Sequence, residues 1–478
     1  MIRRLFSVLE TTLPSEQISY THSVIKNENI PFGWLLTVAP CFSVSGKDIT
    51  ILTEPEEFYN TLLTNCSTAK ERITLVSLYL GSGNLEQKLL ESIRNNKSYR
   101  NKKLRINILL DYTRGSRGTS NSRNMILPLI QENTNLKVSL YHTPELRGFL
   151  KKIVPDRWNE LLGLQHMKIY IFDDTLIISG ANLSNDYFTN RQDRYFVIKD
   201  KNLTDFYSGL INEVQDFSLH LDKHDNIGLS KNWKQLPYES NKKYFVEKAA
   251  DKIKYYIQNA MDKNCNCNDN NNSKDTWIYP MVQMGQLDIN HDALITNKIL
   301  ADAPPGSKLK IATGYFNLTK DYMNTIIDKC EADCDILMAH PKANGFLGAK
   351  GLAGGIPYAY SYIAKNFKKL YEQKNQQHRI RLFEYYRESW TYHSKGLWYY
   401  MPNENVPSMT LIGSPNFGER SVKRDLETQV AIVTKNSDLS NRLNQECSRL
   451  FELGLKAETE RKVPVWVNTF VLFFRSYF

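Results

Sequence analysis

One order of segments occurs twice in this chain of 478 residues, and that duplication limits the folds it can adopt. In each copy a strand-like run leads into a helix-like stretch and then a second strand-like run, at 73–110 and again at 309–339. Each copy then reaches a His-x-Lys segment, at His166 and at His393. Because a chain of this length exceeds what one hydrophobic core usually organises, we predict two similar units formed by tandem duplication.

The alternation of strand-like and helix-like stretches predicts an α/β sandwich with buried strands. The strand-like runs of the two copies are 73–79 and 104–110, then 309–316 and 335–339, and the helical stretches are 85–93 and 318–327. An Asn-rich segment without core-forming residues separates the copies and predicts an exposed loop. The predicted divisions are an N-terminal segment (1–31), a first half (32–262), a low-complexity loop (263–274), a second half (275–460) and an apolar tail (461–478).

The two ends of the chain carry apolar sequence that allows more than one interpretation. Ile2, Leu5, Phe6 and Leu9 share one helical face beside two arginines, as in a mitochondrial targeting segment or an ordinary amphipathic turn. The aromatic tail at 463–478 is too short to span a bilayer, so it either lies on a membrane interface or docks back onto the domain.

Charge and cysteine content restrict the partners and the redox setting. The net charge of +10 favours an anionic partner, which is a nucleic acid, an acidic lipid surface or a phosphorylated small molecule. The seven cysteines lack a paired C-x-x-C framework, which indicates reduced thiols. Cys265 and Cys267 lie in the Asn-rich segment without further ligands, so we expect a loop there and not a zinc site.

Each His-x-Lys segment is followed by an amide and an acid at matched positions. The acid follows the amide by the same interval in both copies, and the Lys-to-Asn spacings agree once the turn-like insert 401–407 is removed. A single His-x-Lys segment is a weak indication, whereas this repeated constellation is specific. The matched residues are His166, Lys168, Asn182 and Asp193 in the first copy, and His393, Lys395, Asn416 and Glu427 in the second.

These side chains suit displacement at a phosphodiester. Residues two apart on a strand point to the same side, so the histidine and lysine of each pair are predicted to project into one cleft. One histidine would attack phosphorus, the other would protonate the leaving group, and the lysines and amides would hold the oxyanions. Asp193 and Glu427 are predicted to hydrogen-bond an imidazole and set its tautomer. Since the sequence has no dense carboxylate or histidine cluster, we predict a reaction without metal or cofactor.

The segment from His166 to Asp173 resembles the H-x-K-x4-D signature of the phospholipase D superfamily. The resemblance implies two similar α/β/α sandwich halves packed around one active site. Asp173 joins the catalytic candidates through this signature, in which the aspartate is thought to act structurally. The second copy departs from it, because Tyr400 stands where the aspartate would be.

Longer stretches, from about residue 32 to the C-terminus, resemble the phosphatidylglycerophosphate synthases of eukaryotic mitochondria, whose second motif also lacks the aspartate. The resemblance implies transfer of a phosphatidyl group from CDP-diacylglycerol to the 1-hydroxyl of sn-glycerol 3-phosphate, in a protein held peripherally at the mitochondrial inner membrane. The expected route is a double displacement with His166 as nucleophile and His393 as acid and then base. The opposite assignment stays open because the copies are symmetric. The matching stretches are 77–83, 111–118, 163–168, 180–194, 275–280, 313–319, 344–351, 393–398 and 413–418.

Several further residues are candidates for holding substrate phosphates, each with a simpler alternative. Arginine forks bind phosphate in bidentate fashion, but the three in the loop at 114–123 also fit a solvated basic loop, and Arg194 also fits a pair with Asp193. A glycine turn exposes backbone N–H groups to phosphate, or is only a turn. The substrate-binding candidates are Arg114, Arg117, Arg123, Gly81, Ser82, Gly83, Arg194 and Ser414.

Two other functions use the same constellation. Water in place of the alcohol would make the protein a phospholipase D or a nuclease, and the basic charge suits nucleic acid. Serine in place of glycerol 3-phosphate would make it a phosphatidylserine synthase. Since the resemblance to the synthases extends well beyond the motifs, we predict CDP-diacylglycerol, sn-glycerol 3-phosphate and an anionic membrane surface as partners, and no nucleic acid.

Overall fold

The structure is a computed structural model that describes residues 32–148, 162–264, 274–349 and 354–475. The predicted N-terminal segment 1–31 lies outside these ranges, as do Cys265 and Cys267 of the low-complexity loop. Within the described ranges no helix combines the length and the apolar character needed to cross a membrane.

Two nine-stranded mixed sheets organise the part of the chain that the structure describes. The first runs from edge to edge through β11 (Ile227–Leu229), β10 (Leu219–Leu221), β5 (Leu136–Tyr141), β4 (Arg105–Asp111), β3 (Arg72–Val76), β6 (Ile169–Phe172), β7 (Thr175–Ser179), β9 (Tyr195–Lys199) and β2 (Ile49–Leu52). The second runs through β1 (Phe42–Val44), β12 (Thr276–Met284), β19 (Leu426–Thr434), β18 (Met409–Gly413), β17 (Gly396–Tyr400), β13 (Lys308–Thr313), β14 (Asp333–Ala339), β15 (Ile380–Tyr385) and β20 (Gly454–Lys456). A small two-stranded sheet joins β8 (Arg191–Gln192) to β16 (Thr391–Tyr392).

The two large sheets share one topology, which confirms the predicted duplication and α/β class. In the first, β3, β4 and β5 are parallel and β6, β7 and β9 continue antiparallel. In the second, β13, β14 and β15 are parallel and β17, β18 and β19 continue antiparallel. The insert predicted at 401–407 is the turn between β17 and β18.

Helices cover both faces of each sheet, so that each half is an α/β/α sandwich. Those on the outer face of the first sheet are α1 (Pro55–Thr68), α2 (Asn84–Asn95), α3 (Lys97–Arg100), α4 (Tyr112–Gly115), α5 (Ser122–Glu132) and α6 (Asn185–Thr189). Those between the sheets are α7 (Lys201–Asp216), α8 (Lys242–Asn264) and α13 (Ser437–Glu452). Those against the second sheet are α9 (His291–Ala301), α10 (Lys320–Asp328), α11 (Ile356–Gln373), α12 (Glu419–Lys423) and α14 (Val465–Phe474).

The first strand of the described residues belongs to the second sheet. Strand β1 lies within the predicted first half, yet it pairs antiparallel with β12 of the second. Arg442 of α13 adds a tie between the halves, because its guanidinium donates to the carbonyl oxygens of Gly46 and Ile49. The predicted boundary at residue 32 remains a prediction, and the contacts of residues 42–49 link the first predicted half to the second.

Candidate active site

The two halves meet through short parallel ladders that carry the His-x-Lys segments. Gln165 bridges to Leu426, and the N–H of His166 donates to the carbonyl oxygen of Leu426 at 2.8 Å. On the other side β16 pairs with β8, and the N–H of His393 donates to the carbonyl oxygen of Gln192 at 2.8 Å. The sequence predicted that each His-x-Lys segment lies on a strand. In the structure both segments precede the strands β6 and β17 instead, because their backbone pairs with the opposite half.

Each predicted histidine receives a carboxylate from the other half. Nδ1 of His166 lies 2.9 Å from Oε1 of Glu427, and Nδ1 of His393 lies 2.7 Å from Oδ2 of Asp193. Both carboxylates are fully buried. An imidazole held at Nδ1 presents Nε2 for nucleophilic or acid–base chemistry. The sequence placed one acid in each half, and the structure adds that the pairs cross between halves.

Each lysine contacts the histidine of its own His-x-Lys segment. Nζ of Lys168 donates to the carbonyl oxygen of His166 at 2.5 Å, and Nζ of Lys395 donates to that of His393 at 2.6 Å. Lys395 also lies 2.6 Å from Nδ1 of His393 and 3.7 Å from Oδ2 of Asp193, so ammonium and carboxylate share one edge of this ring. Two buried ammonium groups beside two imidazoles form a cationic centre suited to a phosphate.

Burial sets the protonation of this centre. It lowers the pKa of Lys168 to about 7 and that of Lys395 to about 8, and the charges of Lys395 and of Arg191, respectively, add to these shifts. It raises the pKa of Asp193 and of Glu427 to about 6, against the nearby lysines. Burial and the adjacent lysines hold the pKa of both histidines well below its usual range. Neutral imidazoles are therefore available as nucleophile and base near neutral pH.

These values predict a bell-shaped pH dependence of kcat/KM for the phosphodiester substrate, which donates the phosphoryl group and is called the donor. Activity should rise as pH increases through about 6, where Asp193 and Glu427 ionise. It should fall above about 7 to 8, where Lys168 and Lys395 lose their charge. Because kcat/KM reports the free enzyme, initial rates at low donor concentration measure these groups. In Lys168→Arg the guanidinium stays charged, so the alkaline limb should move upward; an unchanged limb would contradict the assignment.

The two candidate amides lie at equivalent strand ends but have different contacts. Oδ1 of Asn182 accepts from the N–H of Leu78 at 3.3 Å and lies 3.4 Å from Oγ of Ser77. Oδ1 of Asn416 is buried and, among the described residues, has no hydrogen-bond partner. Ser414, a substrate-binding candidate, exchanges hydrogen bonds with the backbone of Thr428 and so joins β18 to β19.

Asp173 lies away from the histidines. It occupies the turn after β6 with φ of 52°, and its carboxylate accepts from the backbone N–H groups of Lys70, Glu71 and Arg72. Lys168 precedes β6 and Asp173 follows it, so the strand separates them. Asp173 therefore anchors the start of β3, which is the structural role that the signature implies.

Arg194 is also separate from the cleft, which corrects its place among the substrate-binding candidates. Its guanidinium pairs with both carboxylate oxygens of Glu446 at 2.7 and 2.8 Å and stacks 3.9 Å from the centre of the Trp398 ring. The side chain is fully buried. Asp193 faces His393, and the next residue of an extended chain points the other way, so Arg194 faces α13 instead. The alternative pairing with Asp193 is likewise not what the structure has.

The remaining phosphate-binding candidates make other contacts or are partly exposed. Arg123 pairs with Asp225 at 2.6 Å, and Arg114 lies over the Tyr79 ring at 4.4 Å. Arg117 lies on the same half-exposed loop. In the turn at 81–83 a methyl group at Gly81 would meet the carboxylate of Glu86 at 2.2 Å, so an anion already occupies the space beside Gly81, Ser82 and Gly83.

Sequence analysis missed two tyrosines that enclose His393. The Tyr187 hydroxyl lies 3.3 Å from Nε2 of His393, and the rings meet edge to face at 5.1 Å. The Tyr315 ring meets the same imidazole edge to face at 5.5 Å. One signal was present: Ser77-x-Tyr79 and Thr313-x-Tyr315 recur at equivalent strand ends, each with its hydroxyl residue donating to the tyrosine carbonyl.

One acid on the His166 side was also missed. Asp425 accepts from the N–H of Leu164 and from Nε of Arg420, each at 3.0 Å. Ligand atoms of His166, Asp425 and Glu427 lie within 4.8 Å of one another, a spacing that could hold a metal ion. Each of the three side chains already has a protein hydrogen bond. Metal-independent reaction therefore remains a prediction.

Comparison with known proteins places this site in a family. The family model described as "Cardiolipin synthase, PLD-like domain" matches residues 62–214. A relative from Gallus gallus is 41% identical over 94% of this chain and 86% of its own length, and one from Homo sapiens is 40% identical over the same shares. Both are named CDP-diacylglycerol–glycerol-3-phosphate 3-phosphatidyltransferase, mitochondrial. This chain belongs to that family.

Membership in the 3-phosphatidyltransferase family confirms the resemblance found in the motifs, and a solved structure has a similar fold. The phosphatidylserine synthase of Haemophilus influenzae aligns with a TM-score of 0.66 at 19% identity, over 91% of this chain and 94% of that chain. At this identity the likeness concerns the fold alone. It confirms the two-sheet α/β architecture.

Proposed function

We propose that this chain transfers the phosphatidyl group of CDP-diacylglycerol to sn-glycerol 3-phosphate, releasing CMP and forming phosphatidylglycerophosphate. One observation carries the proposal: two imidazoles, each held at Nδ1 by a buried carboxylate of the opposite half, stand over two buried lysines. The substrates come from the name that the family's relatives bear. Those relatives are named mitochondrial, which supports the same compartment for this chain. Within it we propose a peripheral position at the inner membrane.

In the first displacement Nε2 of His166 attacks the phosphorus that carries diacylglycerol. The bond from phosphorus to the CMP oxygen breaks, and His393 gives its proton to that oxygen. Bound phosphate anions favour the protonated form of His393, which burial alone disfavours. The His166 side chain is 12% exposed against 4% for His393, and Tyr187 already covers Nε2 of His393. The more open ring is the better nucleophile.

In the second displacement the 1-hydroxyl of glycerol 3-phosphate gives its proton to His393 and attacks phosphorus. The bond from phosphorus to Nε2 of His166 breaks, which frees the enzyme. Lys168 and Lys395 balance the charge on the non-bridging oxygens in both steps. Two inversions retain the configuration at phosphorus, whereas a single displacement would invert it.

The decisive assay incubates the purified full chain with CDP-diacylglycerol in detergent and chelator, with glycerol 3-phosphate, with serine, or with neither. Phosphatidylglycerophosphate formed with glycerol 3-phosphate alone supports the proposal. Phosphatidylserine would make the protein a phosphatidylserine synthase, and CMP with phosphatidic acid regardless of acceptor would make it a hydrolase. Turnover lost in chelator and restored by a divalent ion would contradict metal independence.

The C-terminal helix α14 supports contact with a membrane. It packs on the second half through buried Val467 and Val471, so part of the predicted tail docks back onto the domain. Its other side leaves Val465 84%, Leu472 77% and Phe473 67% exposed. Large exposed apolar patches mark interaction surfaces, and a diacyl substrate together with a net charge of +10 favours an anionic lipid surface.

The double variant Leu472→Ser/Phe473→Ser should bind anionic vesicles about 10- to 100-fold more weakly, because each apolar side chain contributes about 1.5–3 kcal/mol when buried. Sedimentation with vesicles of phosphatidylcholine and an anionic phospholipid measures this. Leu455→Ser is the matched control, since Leu455 is 57% exposed on β20. Activity on detergent-dispersed donor should stay unchanged. Equal vesicle binding by the double variant and wild type would exclude this face as the contact.

A further inference from the structure

The two halves of the pseudo-symmetric site carry residues of opposite charge at one pair of equivalent positions. Two residues before Asp193, the acid that orients His393, the chain carries Arg191. Two residues before Glu427, the acid that orients His166, it carries Asp425. Equivalent positions thus present a cation beside one histidine and an anion beside the other. A symmetric pair of halves does not require this difference, so it distinguishes the ends of the substrate path.

Arg191 is held in a fixed orientation. Its Nε donates to Oγ1 of Thr391 at 3.0 Å, which ties it across the interface between the halves. Its guanidinium carbon lies 4.8 Å from the centre of the Tyr187 ring, and Nη2 lies 3.1 Å from the largely exposed carboxylate of Asp186. The Arg191 side chain is only 14% exposed. Such a preorganised fork loses little entropy when it binds an oxyanion.

The guanidinium and the Tyr315 hydroxyl lie on either side of the exposed residue Gly345, and we call the space beside this glycine the gap. A methyl group built on Gly345 would lie 3.2 Å from Nη2 of Arg191 and 3.3 Å from the hydroxyl oxygen of Tyr315, so both donors lie close to this residue. Gly345 itself is exposed, and the absence of a side chain there leaves the gap open.

The gap is close to His393 but separated from it by the rings of Tyr187 and Tyr315. Tyr187 contacts Arg191 with its ring and His393 with its hydroxyl, and Tyr315 packs against the same imidazole. Glycerol 3-phosphate carries its phosphate at the end opposite to the reacting hydroxyl. A phosphate site for this acceptor must therefore stand off from the base, whereas a site for the reacting phosphoryl group must touch it.

We propose that Arg191 and the Tyr315 hydroxyl bind the phosphate of the acceptor, glycerol 3-phosphate, while its 1-hydroxyl meets Nε2 of His393. This rests on the proposed function. The guanidinium offers paired N–H donors to a dianion, and the phosphate competes with exposed Asp186 for them. At the opposite end the equivalent residue is the acid Asp425, which is paired with Arg420 and has no N–H donor to offer a phosphate, so the acceptor enters on the His393 side. His393 is then the base for the acceptor, and His166 the nucleophile.

Arg191→Gln keeps a donor for Thr391 but removes the charge. Loss of a charged hydrogen bond costs about 1.5–3 kcal/mol, so KM for glycerol 3-phosphate should rise about 10- to 100-fold. The KM for CDP-diacylglycerol and the stoichiometric release of CMP from donor without acceptor should match wild type. CMP release at the wild-type level would also show that the site of Arg191→Gln is folded. Arg381→Gln is the control, because Arg381 pairs with Asp335 on an exposed part of β15.

Two further variants test the geometry. Arg191→Lys keeps the charge without the fork and should raise KM for glycerol 3-phosphate by less than Arg191→Gln. Gly345→Ala keeps both donors but places a methyl group close to them. It should raise the KM for glycerol 3-phosphate while leaving CMP release intact. An unchanged acceptor KM in Arg191→Gln overturns the inference, as does an equal loss of CMP release. If wild type forms no phosphatidylglycerophosphate, the proposed function fails instead.

Discussion

Replacing His166 with alanine is expected to abolish the covalent phosphatidyl-enzyme and to lower kcat by at least about 10⁴-fold, because the nucleophile of a double displacement has no substitute. His393→Ala should lower kcat for phosphatidyl transfer by about 10²- to 10⁴-fold, the usual contribution of a general acid and base. It should still permit slow formation of the intermediate, since Nε2 of His166 and its partner Glu427 are untouched.

Donor labelled in its acyl chains, followed by rapid denaturation, separates these roles. Label should stay with His393→Ala protein and be missing from His166→Ala protein. Label on His166→Ala protein would reverse the two histidines. Asp173→Asn is a useful companion variant: its carboxylate caps backbone N–H groups at the start of β3, so it should lower stability more than it lowers kcat per folded molecule.

The second large effect concerns stability. Arg194→Ala is expected to lower the free energy of unfolding by about 3–5 kcal/mol, because it leaves the carboxylate of Glu446 buried without its charge partner. Glu446→Ala should cost a similar amount, since the guanidinium then remains between Trp398 and the sheet. Denaturant titration followed by tryptophan fluorescence measures both.

A matched surface pair provides the control for Arg194. Arg381→Ala removes an arginine that is 50% exposed and pairs with Asp335, so it should cost at most about 1 kcal/mol. If Arg194→Ala unfolded at the same denaturant concentration as wild type but had a raised KM for either substrate, the residue would belong to the binding site after all. That result would contradict the buried pair.

Most of the fold could be predicted from the spacing of apolar residues and from the repeated order of segments. The predicted strands at 73–79 and 309–316 correspond to β3 and β13, and the predicted helix at 85–93 lies within α2. These elements follow from local spacing of apolar residues, which a single sequence records directly. Repetition then identified equivalent residues, because duplicated units keep their order.

Contacts between the halves could not be read from spacing. Asp193 lies closer in sequence to His166 than to His393, yet it pairs with His393 because β8 and β16 join the two halves. Arg191 and Arg194 also look alike in the sequence. Their roles differ because one side chain faces the gap beside Tyr187 and the other faces buried Glu446. Such differences arise only when separate elements pack together.

Reciprocal sharing of acids has a consequence for how the protein is made. While only the first half has emerged during synthesis, His166 lacks Glu427, and Asp193 has no imidazole to orient. A nascent or truncated chain should therefore be unable to cleave CDP-diacylglycerol, even if its single half folds. Activity should begin only when both halves have docked and each imidazole has received its carboxylate.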